Sequence, residues 1–261
     1  MSLGQQQPCT REKSVGLWQV DAGHMHPALW GPFVWALLHA LVHVPPTAAQ
    51  ADLMARFLRH LQQVLPCTVC QTSFNLILED EMGRMRAAVL EGKYLDWVYG
   101  VHVRVTHKIL KEQYVEAGVL DPDVQASLLA AHDASTISLQ EVQAGTSTAT
   151  CTQHTLFMVV AVVLYCARTV RARRCALGFV QALAEVLKTA SQVPSSLTET
   201  AGPLGELASS FATDPALRRL DVKTTLLQFG TILLPPDSCE ADAAAVFRHL
   251  VATEQAAASC K

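Results

Sequence analysis

Residues 30–70 read WGPFVWALLHALVHVPPTAAQADLMARFLRHLQQVLPCTVC, and this stretch decides the fold. Phe33, Val34, Leu37, Leu38 and Leu41 recur at the three-and-four spacing of one helix face, and Pro45-Pro46 stop that helix. Leu53, Met54, Phe57, Leu58, Leu61, Val64 and Leu65 repeat the pattern over Ala51–Leu65. Pro66 permits a new start, which puts Cys67 in the first turn of a third helix reaching about Leu78. The charged stretch Glu79–Glu91 extends that helix or joins it to the next. A fourth helix is expected from about Tyr94 to Lys111, followed by a turn at Leu120-Asp121-Pro122-Asp123. No alternation of period two asks for a strand, so the expected class is all-α.

Outward from this stretch, the chain of 261 residues divides by composition. Half of it is hydrophobic and 16% is charged, enough to bury a core and far from a disordered composition. A net charge of −3 argues against a dedicated binder of nucleic acid or anionic membrane. Residues 116–150 are small and polar, and Val124–Ala131 within them reads as one more short helix. Up to residue 115 there are 10 basic and 9 acidic side chains; from 116 onward there are 10 and 14. The expected organisation is a tail over 1–26, a first domain over 27–115, a linker with a short helix over 116–153, and a helical C-terminal domain over 154–261.

That C-terminal domain carries an echo of the first. FVWALLHALVHVPP…LMARFLRHLQQVL is similar to FMVVAVVLYCARTV…CALGFVQALAEVL, an apolar helix, a break and an amphipathic helix in both. The second copy has no CxxC, so it reads as a degenerate repeat or as a chance likeness of two helical hairpins. Its apolar run Leu156–Ala167 is about 18 Å of helix, short of the ~30 Å needed to span a bilayer. The four arginines Arg168, Arg171, Arg173 and Arg174 follow at once, so the run is expected to be a buried helix with a basic end. Residues 1–20 lack the apolar segment of a secretory signal and the arginine content of a mitochondrial presequence.

The chemistry lies with the cysteines. There are eight, too dilute for a disulfide scaffold, and only Cys67 and Cys70 form a close pair. A cysteine at a helix start has its thiolate stabilised by the helix dipole and the free N–H groups. Two cysteines three apart can close a small, reducible disulfide suited to thiol–disulfide exchange. Taken alone, the pair also fits half a zinc site, though no second CxxC or His pair supplies the other ligands. His39 and His43 are expected one turn apart on the first helix, and His102 and Thr106 one turn apart on the fourth. Taken singly, each of these histidines, and Trp35, reads as ordinary packing.

Jointly they do not. Trp30-Gly31-Pro32-Phe33-Val34-Trp35-Ala36-Leu37-Leu38-His39 resembles the WGPxxWxxLH start of the Erv/ALR family of FAD-dependent sulfhydryl oxidases. Leu65-Pro66-Cys67-Thr68-Val69-Cys70 is similar to that family's YPCxxC, with Phe74 at its aromatic position four residues later. Trp97 to Lys108, WVYGVHVRVTHK, is close to its WxxxxHNxVNxK. Order and spacing agree over about residues 27–112. The resemblance implies a four-helix bundle with FAD at its mouth. It implies that Cys70 faces the flavin and that Cys67 exchanges with incoming dithiols. Trp35 and His39 would line the flavin, and His102, Lys108 and Trp97 would hold the adenosine end and its phosphates. Gly31 and Thr106 complete the candidate contacts, and no metal is expected. The implied reaction passes two electrons from protein dithiols through the disulfide and FAD to O₂, giving H₂O₂.

The match has departures. Thr106 stands where the family has Asn, and Val103 replaces the Asn after the histidine. No cysteine lies between Cys70 and Cys151, so the family's extra structural bridge after the last helix is missing. A relay pair is not evident either. Cys239 and Cys260 could bridge if the Ala-rich stretch between them folds back, Cys9 and Cys260 lie near the termini, and Cys166 and Cys175 read as buried thiols. The alternative expectation is therefore an assembly subunit that keeps the fold without the flavin. The resemblance further implies a homodimer, and a mitochondrial intermembrane or a virus-associated or cytoplasmic setting rather than secretion by a signal peptide.

Overall fold

The structure is a computed structural model that describes residues 25, 27–119, 121–135, 152–167, 169–191, 193–215, 217, 220–237 and 239–259. Among these residues there are ten helices and no strand. They are α1 (Pro27–Ala40), α2 (Ala48–Val64), α3 (Thr68–Leu90), α4 (Tyr94–Glu116), α5 (Pro122–Ser135), α6 (Gln153–Cys166), α7 (Val170–Thr189), α8 (Ser195–Thr213), α9 (Val222–Leu233) and α10 (Cys239–Ser259). The all-α expectation holds, and α1–α4 pack together as a bundle through α2 on α3, α3 on α4 and α1 on α4.

Several boundaries differ from the expected ones for local reasons. The first helix starts at Pro27 and contains Pro32 in its second turn. It ends at Ala40, so His43 is not on it, and the expected His39–His43 helical pair does not form. Proline disfavours the α conformation in the residue before it and has no N–H to donate, so no helix carries through Pro45-Pro46. Thr47 opens α2, its side chain accepting from the Gln50 N–H. The charged stretch does extend the third helix, which runs unbroken through Glu79–Leu90. It stops at Gly92, whose φ of 69° is the left-handed conformation that glycine adopts without penalty. The Gly92 and Lys93 N–H groups then cap Val89 and Ala88 as a Schellman turn. In the expected linker, α5 is longer than the short helix foreseen there.

The two halves pack by one repeated plan. The contacts of α2 with α3, α3 with α4, α1 with α4 and α4 with α5 recur as α7 with α8, α8 with α9, α6 with α9 and α9 with α10. Between the halves, α1 meets α6 and α2 meets α7, each helix against its own counterpart. Such recurrence is what a degenerate repeat predicts, although α6 also packs against α7 and α10 more closely than α1 does against α2 and α5. Phe57 and Phe179 occupy matching places in the two similar segments, and their rings stack with centroids 5.7 Å apart. Gln50 donates to the Thr189 hydroxyl (3.0 Å), and the Ser191 N–H to the His43 carbonyl (2.9 Å), along the same seam.

The apolar residues of both halves form a single core. From Thr155 to Tyr165 every residue of α6 is buried, which explains its all-round apolar sequence. No helix among the described residues is long and apolar enough to cross a membrane.

Candidate functional site

The redox pair sits where α2 hands over to α3. Cys67 is not in the first turn, as its spacing from Pro66 suggested; it is the N-cap of α3, with extended backbone angles. Its sulfur accepts from the Cys70 N–H at 3.2 Å, using one of the donors that a helix start leaves unpaired. Cys67 and Cys70 are joined as a disulfide, with Cα atoms 5.1 Å apart. Cys67 is buried and Cys70 half-buried. The turn is anchored from the other side of the bundle, where the Met25 N–H donates to the Pro66 carbonyl (2.8 Å) and Trp30 Nε1 to the Met25 carbonyl (3.2 Å). Phe74, one turn beyond Cys70, is buried.

Three of the candidate cofactor residues converge. His39 on α1 and His102 on α4 are hydrogen-bonded, Nε2 to Nδ1, at 2.9 Å. The Trp35 ring lies flat on His102, centroids 4.0 Å apart and 11° between planes. Burial lowers the pKa of His39, and burial with the neighbouring His39 brings that of His102 down to about 4. Both rings are therefore neutral at pH 7. One supplies the N–H of their shared bond and the other the lone pair. The second nitrogen of His39, Nδ1, is buried with no hydrogen-bond partner. It is a donor or an acceptor according to which tautomer the pair adopts.

The other candidates share α1 and α4 with this cluster. Lys108 follows His102 by six residues, about 120° around the helix, and its Nζ bonds the Ser73 hydroxyl (2.6 Å) and Glu112 (3.1 Å). Ser73 stands one turn past Cys70, so Lys108 is held beside the start of α3. Thr106 is half-buried, one turn beyond His102. Trp97 stacks on Tyr94 at 5.7 Å, and its Nε1 is buried without a partner. A Cβ added at Gly31 would meet no atom within 4 Å, so protein packing does not require glycine there. Sequence reasoning missed Ser73, Met25 and Tyr94. Only contacts between distant residues single out the first two, and only the unpartnered, wholly buried hydroxyl singles out Tyr94.

Whether these residues suit a flavin nucleotide is tested by the orphaned atoms. A buried polar group without a partner costs about 1–3 kcal/mol, and native folds carry few. His39 Nδ1 and Trp97 Nε1 are two such atoms among the candidates, beside His43 Nε2, His60 Nδ1, the Tyr94 hydroxyl and Glu112 Oε2 elsewhere in the first half. The flat Trp35–His102 stack and the Lys108 ammonium, which Ser73 and Glu112 now engage, add the residue types that a ligand with ring heteroatoms and phosphates needs, so the set fits in its chemistry. Among the described residues, no group of three or more His, Cys, Asp or Glu side chains could hold a metal ion.

The remaining cysteines stand apart. Cys166 is half-buried, Cys175 is a half-buried free thiol, and Cys239 is a buried one. Cys239–Ser259 is one continuous helix, about 30 Å long, so the stretch between Cys239 and Cys260 does not fold back. Cys9, Cys151 and Cys260 lie outside the described residues.

Compared with known proteins, residues 32–124 match the sequence model of the Erv1/Alr family. The chain thus carries an Erv1/Alr domain, built from α1–α4, followed by further helices. No curated protein and no solved structure matches the chain.

Proposed function

We propose that this protein is a flavin-linked thiol oxidase that forms disulfides in protein substrates, on the strength of one observation above the rest. The Cys67–Cys70 disulfide caps a helix inside an Erv1/Alr domain, in the same bundle as an aromatic and histidine cluster with unpartnered ring nitrogens. A substrate thiolate attacks Cys67 Sγ and forms a mixed disulfide, releasing Cys70 as thiolate. A second substrate thiol displaces Cys67, closing the substrate disulfide and leaving both cysteines reduced. The Cys70 N–H that already faces Cys67 Sγ stabilises the departing thiolate. Because Cys67 is the more buried residue of the two, this exchange calls for the turn at residues 66–70 to open locally. Trp35, His39, His102 and Lys108 would hold FAD, with Gly31, Trp97 and Thr106 at its margins. When bound, FAD supplies a two-electron acceptor that dioxygen reoxidises with formation of hydrogen peroxide.

The full-length protein should purify yellow, absorbing at about 450 nm as flavoproteins do, and should consume oxygen when given a dithiol. Cys70→Ser should abolish that uptake while retaining the yellow colour. A colourless protein with no dithiol-dependent uptake would establish the second reading, an assembly subunit that reuses the fold. Val103 and Thr106 favour that reading, since they replace two amide side chains of the family pattern. Further proposals are protein dithiols and dioxygen as partners, self-association as a homodimer, and a mitochondrial intermembrane or virus-associated setting. The outer faces of α1 and α2 are already covered by α6 and α7, so a homodimer would use another surface.

A further inference from the structure

The second half has no CxxC, but it has a cavity of its own. The end of α6, the start of α7, the end of α8 and the start of α9 enclose about 230 Å³. Leu164, Leu177, Phe211 and Val222 form its wall, and Arg173 and Arg174 also face it. Arg173 is held in place by a bond from its guanidinium to the Leu220 carbonyl (3.2 Å).

The first half shows what Arg174 replaces. Aligning the two similar segments puts Arg174 at the place of Asp52. Asp52 on α2 pairs with Arg86 on α3, and this ion pair ties that corner together. In the second half the position has reversed its charge, and α8 brings Phe211 and Ala212 to the corner instead of a partner. Arg174 is exposed and makes no ion pair or hydrogen bond among the described residues.

The first turns of α7 and α9 and the last turns of α6 and α8 all line the cavity, so the helix-dipole ends offset one another and the positive charge at the site is that of the arginines. Two carboxylates stand nearby: Asp221 caps α9 through the Thr224 N–H and hydroxyl, and Asp214 caps the end of α8. Val170 lines the cavity yet is 76% exposed, an apolar surface left open beside the arginines. At roughly 30 Å³ per water-sized group, the cavity takes about seven or eight heavy atoms, the alkyl tail of an eight-carbon acid with its carboxylate left at the rim beside Arg174. It lies just below the ~300 Å³ at which ordinary ligand pockets begin.

We propose that this cavity binds a small amphiphile whose anionic head meets Arg173 and Arg174 and whose short alkyl tail lies between Leu177 and Phe211. The site is independent of the flavin reading and does not require oxidase activity.

Calorimetric titration of the full-length protein with sodium octanoate tests it. Saturable binding of one octanoate per chain is expected, with octylammonium and acetate each weaker by about tenfold or more. Arg174→Glu should weaken octanoate by about tenfold or more, and Arg174→Lys should keep most of the affinity. Ala212→Phe, at an exposed position on the cavity rim, should block binding without touching either arginine. Failure of octanoate to bind saturably would overturn the proposal. So would octylammonium binding as tightly, or unchanged octanoate affinity in Arg174→Glu and Ala212→Phe.

Discussion

At the scale of single residues, the His39–His102 pair makes a pH-dependent statement. In the unfolded chain a histidine takes up its proton near pH 6.5; folded His102 resists until about pH 4, because burial and His39 disfavour the charge. The unfolded state therefore binds more protons across this window, and stability is lost as pH falls through it. His39, His43 and His60 are lowered in the same direction, chiefly by burial. The melting temperature should drop from pH 7 to pH 5, and His102→Gln should lessen that drop. An identical drop in the variant would show that His102 is not among the groups responsible. Gly178 makes a steric statement. A Cβ there would sit 3.0 Å from the His60 ring across the α2–α7 seam. Gly178→Val should cost about 1–3 kcal/mol in urea denaturation, as overpacked sites do.

At the scale of elements, caps decide where helices begin. Thr47 and Thr169 open α2 and α7, the matching helices of the two halves, and each accepts from the N–H three residues on. Thr47→Ala should lower stability by about 1 kcal/mol in denaturant titration, with Thr47→Ser close to wild type. Much of this scale was legible in advance. The spacing of Leu53, Met54, Phe57, Leu58 and Leu61 announces α2, and all five are buried. The end of α1 was not legible, because apolar periodicity runs on through Leu41 and the helix stops before the prolines. Cys67 is similar: Pro66 marks a helix start, but a cap differs from a first turn by backbone angles that side-chain spacing does not encode.

At the scale of the whole molecule, the halves are joined through one core, and the Phe57–Phe179 stack lies at its seam. Phe179→Ala should therefore cost about 3–5 kcal/mol, the usual range for a fully buried Phe. Its effect should appear in one cooperative transition seen alike by helix content and by tryptophan fluorescence. All four tryptophans belong to the first 97 residues, so a first half that stayed folded would separate the two signals.

The sequence by itself determined the class, the run of helices, the redox pair and the joint motif around it. These follow from local spacing, from proline placement and from residue types whose chemistry travels with them. Tertiary structure alone decided that His39 bonds His102 under Trp35, that Lys108 reaches Ser73, and that the second half covers the first. Each depends on which faces meet when helices far apart in the chain pack together. The sequence puts Arg174 where the first half has Asp52, and only the packing shows that a cavity stands there in place of an ion pair.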